Sequence, residues 1–236
     1  MINLELQKRI ISSLILIPLS LFFIIKGSVF FIFFLSVCFF ITSFEWYMMS
    51  KKKLYNMPGH LFIIISFFSA YFIRGDDLLI ANSHGFLIIV LICISTDVGG
   101  YLFGKLFKGP KLIKISPNKT YSGMIGGYLL SLTFGIFFIF WKITGAGINY
   151  FFEIFGNLNN VLNDVYGIGL YDNIIFIFIV STVSQIGDIA ISYFKRLSKI
   201  KDTGKIIPGH GGLIDRIDGM LFAFPFVYLI YFIILT

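Results

Sequence analysis

Three carboxylates stand inside or beside apolar stretches near the C-terminus of this 236-residue chain: Asp188, Asp215 and Asp218. The segment from residue 192 to 218 reads SYFKRLSKIKDTGKIIPGHGGLIDRID. It gathers Lys195, Arg196, Lys199, Lys201, Asp202, Lys205, His210, Asp215, Arg216 and Asp218, with Pro208, Gly209, Gly211 and Gly212 among them. Carboxylates without thiolates or several imidazoles suit a hard cation such as Mg²⁺. Glycines before a helix let backbone N–H groups approach phosphate oxygens, and the helix N-terminus adds positive potential. Together these residue types point to a metal–polyphosphate site. GHGG alone is a weak signal, and N-terminal capping is an alternative for Asp215 and for Asp218. The single His210 fits a phosphate hydrogen bond better than metal ligation. No Ser/His/Asp or Cys/His set for covalent catalysis is evident.

Asp188 lies in a polar stripe. Ser181, Ser184, Gln185, Asp188 and Ser192 recur at helical spacing on an otherwise apolar segment, the pattern of a face turned to a polar cavity. Asp97, in ICISTDVGGYLFGK, is a second acid within apolar sequence. A carboxylate at the bilayer centre costs about 2.5–3.5 kcal/mol on insertion scales, so it is kept where it faces a cavity, a cation or a hydrogen-bonding helix. Gly99, Gly100 and Gly104 read equally well as close helix packing or as ligand contact. Between residues 105 and 121, Lys105, Lys108, Lys111, Lys114 and Lys119 form a basic loop attracted to anionic lipid. Lys119 differs in lying in a compact SPNKT turn, able to aim one ammonium at a phosphate.

The elements that must position these groups are membrane helices. The chain is 57% hydrophobic and 13% charged, with a mean hydropathy of +0.90, against about 25% charged for soluble domains. The fold class is therefore an all-α, polytopic membrane bundle. Apolar runs predict spans near 10–26, 28–49, 59–73, 80–104, 122–142, 172–194 and 218–235, the third short enough to be tilted or half-inserted. With the N-terminus cytoplasmic, 16 Lys and Arg fall on the cytoplasmic side and 3 on the other. That bias supports about seven spans and an active face toward the cytoplasm. The first apolar run reads as a retained helix rather than a cleaved leader. The Gly/Asn-rich stretch 145–171 reads as an outer connector with an interfacial turn around Tyr150, Phe151 and Phe152. Cys38 and Cys93 read as small buried hydrophobes. Residues 1–94 form N-terminal helices and 95–236 the catalytic helices of one integral membrane unit. The net charge of +7 is read as topology and substrate charge, with no nucleic-acid partner.

These segments together resemble the phosphatidate cytidylyltransferase, or CDP-diacylglycerol synthase, family. Its signature runs Ser-x-x-Lys-Arg, then Lys-Asp, then Pro-Gly-His-Gly-Gly-x-x-Asp-Arg-x-Asp. Here those positions are Ser192, Lys195, Arg196, Lys201, Asp202, Pro208 through Gly212, Asp215, Arg216 and Asp218. Upstream, Asp97, Gly99, Tyr101, Gly104 and Lys105 resemble a second family pattern. Ser116, Pro117, Lys119 and Thr120 resemble a third, and Gln185, Gly187 and Asp188 a fourth. One departure is visible: Ser122 stands before Gly123 where the family usually has an acid. The resemblance covers residues 95–230 closely and the first 90 only as membrane helices.

The resemblance implies Mg²⁺-dependent transfer of a cytidylyl group from CTP to phosphatidate in a bacterial inner membrane. Asp188 and Asp215 are the expected metal ligands. Asp97 and Asp218 bind a further cation or orient basic residues. Lys119, Lys195, Arg196 and Arg216 bind phosphates. Ser192, Lys201, His210, Gly211 and Gly212 contact substrate. A homodimer is allowed and not required. The rival readings are a CTP-dependent polyprenol or phytol kinase-like enzyme and an ion-coupled transporter. A transporter leaves residues 192–218 unexplained.

Overall fold

Long apolar runs without internal breakers form helices, because in lipid only a helix or a closed barrel satisfies every backbone group. The structure, a computed structural model, describes residues 4–75, 83–113, 116–144, 170–207, 209 and 211–235. Among these residues the order is α1 (Leu4–Lys26), α2 (Ser28–Ser50), α3 (Asn56–Arg74), α4 (Ser83–Phe107), β1 (Lys111–Ile113), β2 (Ser116–Thr120), α5 (Tyr121–Thr144), α6 (Leu170–Leu197) and α7 (Ile214–Leu235). Helices α2 to α6 are long and apolar enough to cross a bilayer, and Ser12–Lys26 of α1 is a shorter apolar helix. The third run is a full helix of 19 residues rather than a fragment. Of the expected connector at 145–171, residues 145–169, which include the aromatic turn, lie outside the described residues.

The described residues form an all-helical bundle apart from one short hairpin, and one expectation is corrected in the basic loop: SPNKT is a strand rather than a compact turn. β1 and β2 pair antiparallel, Lys111 opposite Thr120 and Ile113 opposite Ser116. Thr120 then caps α5: its hydroxyl accepts the Gly123 N–H at 3.1 Å. Ser122 accepts the Gly109 N–H at 3.3 Å and meets the Thr120 hydroxyl at 3.0 Å. The hairpin is thereby tied to the first turn of α5 at the position where the resembling family carries an acid.

The burial pattern is the reverse of a soluble protein's. Large apolar side chains such as Leu14, Phe33, Phe40 and Phe44 face outward, while Thr42, Glu45, Ser66, Ser69, Arg74, Thr96, Ser181, Ser184 and Asp218 are buried. An apolar exterior over a polar-seamed interior is what a lipid solvent selects. The protein is an integral membrane helical bundle.

The chain divides into two compact units, residues 1–86 with 186–236, and residues 87–185. In the first, α2 and α3 pack side by side and α7 packs on α3. Its core joins Trp46 and Met49 of α2 to Ile63 of α3, Ile191 of α6 and Ile214 of α7. Gly27, at φ 64°, breaks the chain between α1 and α2, and the buried Arg74 at the end of α3 donates to the Ile24 carbonyl at 2.8 Å. In the second unit α4 and α5 touch backbone to backbone. A Cβ on Gly99 would overlap the Gly126 carbonyl oxygen, and one on Gly123 would crowd that of Gly100. For Gly99, Gly100 and Gly104 the structure favours helix packing over ligand contact. Thr96 and Ser181 share a 2.8 Å hydrogen bond, and Tyr128 meets Thr182 at 3.0 Å.

Candidate active site

Lys195, in the last turn of α6, and Asp215, in the first turn of α7, come together across the loop between them. Lys195 Nζ donates to Asp215 Oδ1 at 2.8 Å, with the two side chains only 13% and 7% exposed. The other carboxylate oxygen is crowded with donors. Asp215 Oδ2 accepts the Thr203 N–H at 2.9 Å, the Gly212 N–H at 3.1 Å and the Thr203 hydroxyl at 3.2 Å. Asp215 lies ahead of the apolar stretch that begins after Gly219. Burial by itself would raise its pKa. The Lys195 hydrogen bond and charge, with the Thr203 and Gly212 N–H groups, outweigh burial and hold the carboxyl below its ordinary value. Asp215 is an anion at neutral pH, paired with one cation.

The loop is shaped for this. α6 ends where Ile200 N–H bonds the Lys195 carbonyl at 3.0 Å and Lys199 takes φ 58°. The exposed Arg196 spends one guanidinium N–H on the Ile200 carbonyl at 3.3 Å. Ile207 N–H then bonds the Gly211 carbonyl at 3.0 Å, closing a tight turn. Gly209 and Gly211 sit at φ 78° and 84°, where a side chain would be strained. Gly212 is needed for space: a Cβ there would overlap the Thr203 hydroxyl and crowd the Glu45 carboxylate.

Glu45, from α2, is the residue the sequence reading missed. It is 2% exposed. Its Oε1 accepts the Leu213 N–H at 2.9 Å, and its Oε2 accepts the Ile214 N–H at 2.9 Å and the Thr203 hydroxyl at 3.1 Å. These amides open α7, so a carboxylate from a distant helix caps it. The signal was available, since Glu45 is an acid within an apolar run, as Asp97 and Asp188 are. Thr203 was missed as well. The capping alternative for Asp215 is met in part, because its side chain folds back over Gly212. The amide of Gly212, one of the residues expected to cradle phosphate, is taken by Asp215, and those of Leu213 and Ile214 by Glu45.

The remaining expected residues are placed as follows. α6 and α7 cross closely at Gly187, where a Cβ would come within 3.0 Å of the Asp218 carbonyl. Asp188 follows Gly187 and is half-buried. Asp218 is 6% exposed, and its Oδ1 accepts the Gly219 N–H at 2.9 Å. Ser192 is half-buried, and Lys201 and Arg216 are exposed. Asp97, exposed on α4, and Lys119, half-buried on β2, belong to the second unit. Pro208 and His210 lie outside the described residues.

Among the described residues no three His, Cys, Asp or Glu side chains converge on one point. A divalent cation bound at such a site would be held by one or two carboxylates and completed by substrate phosphates. Asp215 Oδ1, with one protein donor, keeps a lone pair for such an ion.

Residues 62–234 match the family described as the cytidylyltransferase family. The chain belongs to the cytidylyltransferase family. It is 34% identical to a phosphatidate cytidylyltransferase of Rickettsia felis over 94% of this chain and 90% of that one. It is 34% identical to one of Brucella melitensis over 72% of this chain, and 35% identical to one of Staphylococcus haemolyticus over 70%. The matched part spans about half of those two longer relatives, 54% and 53%. Membership makes the chain a nucleotidyltransferase. Glu45 lies ahead of the family match.

Proposed function

We propose that the protein is a phosphatidate cytidylyltransferase, converting CTP and phosphatidate to CDP-diacylglycerol and diphosphate. The observation that carries this reading is the buried Lys195–Asp215 pair at the end of a membrane helix in a chain of this family. A nucleotide-handling loop built onto lipid-facing helices suits an acceptor that is itself a lipid, and the relatives bearing this name support the choice of phosphatidate.

A phosphate oxygen of phosphatidate attacks the α-phosphorus of CTP, the bond from that phosphorus to the bridging oxygen breaks, and diphosphate leaves. The nucleophile is already anionic, so no strong base is required. The difficulty is bringing two polyanions together, which positioned cations relieve. Lys195, fixed by Asp215, presents an ammonium of defined direction. Arg196, Arg216, Lys119 and Lys201 supply further positive charge for the phosphates of either substrate, and Ser192 adds a hydroxyl. Gly211, Gly212 and His210 are assigned to substrate contact. Mg²⁺, held by Asp188 and Asp215, would neutralise triphosphate charge, with Asp97 and Asp218 orienting basic groups or holding a second cation.

The same reading places seven spans with the N-terminus and the 192–218 loop on the cytoplasmic side of a bacterial inner membrane, as the 16-to-3 Lys and Arg bias favours. Residues 95–236 carry the reacting groups. A homodimer is compatible with this scheme.

The test is turnover of the reconstituted full chain with CTP labelled in the α-phosphate. The reading expects label in lipid and one diphosphate per lipid formed. Labelled CDP in solution with no label in lipid would instead identify a kinase-like enzyme.

A further inference from the structure

Glu45 is a buried carboxylate held by two backbone N–H groups and one hydroxyl, from Thr203 and Leu213 of the loop preceding α7 and from Ile214 at its start. That arrangement is costly unless the geometry is enforced, and it is enforced. Trp46, its neighbour in sequence, is 3% exposed, packs edge-on to Phe194 at 5.3 Å, and donates its indole N–H to the Asn56 carbonyl at 3.1 Å. Asn56 in turn donates to Ser50 at 2.7 Å, and Tyr55 meets Ser198 at 2.7 Å. The end of α2 is thus docked on the end of α6, and Glu45 projects from that dock to the start of α7.

Thr203 makes the link specific. Its hydroxyl oxygen lies between two carboxylates, 3.1 Å from Glu45 Oε2 and 3.2 Å from Asp215 Oδ2, so its single proton is shared between them, while its backbone N–H is committed to Asp215. Glu45 therefore fixes the loop that supplies three of the four donors to Asp215, and Asp215 orients Lys195. Gly204 and Gly212 make room for it, since a Cβ on either would crowd the Glu45 carboxylate.

We propose that Glu45 is a positioning residue for cytidylyl transfer, acting through Thr203 and the α7 N-terminus to set the direction of the Lys195–Asp215 pair. It extends the functional machinery into the N-terminal helices. The proposal rests on the cytidylyltransferase reading for its kinetic arm only.

The test uses the full chain in detergent micelles and compares wild type with Glu45→Gln, which keeps the shape but offers the two amides one acceptor oxygen instead of two. Activity is expressed per folded molecule from a parallel thermal melt, and amide hydrogen exchange is followed over residues 200–216. Groups that orient a reacting site typically cost 10–100-fold when removed. Glu45→Gln is accordingly expected to lower kcat/KM for CTP by about tenfold or more, to leave KM for phosphatidate within about twofold, and to speed exchange at Thr203, Gly212, Leu213 and Ile214. A purely structural Glu45 would lower the melting temperature and leave kinetics per folded molecule at the wild-type value, and that result overturns the proposal. Unchanged exchange at those four amides overturns it too. Should Glu45→Gln fail to fold, Thr203→Val decides: a loss of about threefold or more in kcat/KM for CTP supports the link, and wild-type kinetics breaks it. Wild type without lipid-forming activity would remove the functional reading, while the exchange result would still judge Glu45.

Discussion

The glycines after Asp97 and the glycines before Asp215 look alike as sequence, small residues clustered beside an intramembrane or near-membrane acid. In the α4–α5 contact, Gly99 and Gly123 let two helix backbones touch, and the benefit is packing. In the α6–α7 loop, Gly209 and Gly211 take left-handed φ values and Gly212 clears space for Thr203 and Glu45. There the benefit is a network in which the Thr203, Gly212, Leu213 and Ile214 donors are aimed at carboxylates. The first arrangement sets stability. The second sets the direction of a charged pair, and direction is what phosphoryl chemistry uses.

The largest expected effect that separates the two regions comes from Asp215. Asp215→Asn removes the anion that orients Lys195 and is expected to lower turnover by about 10³-fold, measured as label transferred to lipid. Lys195→Met tests the same pair by pH. The Asp215 carboxyl is held low in the folded protein, so its contribution to stability is complete above the ordinary carboxylate range and is lost as pH falls through the lowered value. Without Lys195 that loss arrives at higher pH, and the acid limb of folding stability, read by thermal melts, moves upward. Next in size is Gly212→Ala. Its Cβ meets Thr203 and Glu45, and kcat/KM for CTP is expected to fall about 10–100-fold with a modest change in melting temperature. The smallest effect on turnover belongs to Gly99→Ala. Overpacking against the Gly126 carbonyl costs about 1–3 kcal/mol of stability, so the melting temperature falls while activity per folded molecule changes by only a few-fold. A reversal, with Gly99→Ala harming kinetics more than stability, would erase the contrast between the two regions.

Much of this was legible in the chain. Run length alone placed α2 at 28–49, against Ser28–Ser50 in the structure, because apolar helices end where charge begins, here at Lys51. The loop from Lys195 to Asp218 was legible from its mixture of charge and glycine. The β1–β2 hairpin was not, since three- and five-residue strands carry too little alternation to compete with a basic-loop pattern. Glu45 was missed because its partners are backbone amides 168 and 169 residues away, and no spacing motif records a side chain bonded to N–H groups. At Gly212 the need for glycine comes from Thr203 and Glu45 beside it, which no local sequence pattern records.

One measurement bears most directly on the whole account: transfer of α-labelled CTP into lipid by the reconstituted full chain with phosphatidate and Mg²⁺, wild type beside folded Asp215→Asn. The account predicts labelled CDP-diacylglycerol and equimolar diphosphate from wild type and almost none from the variant. Wild-type turnover by Asp215→Asn, or no lipid label from wild type, would contradict it.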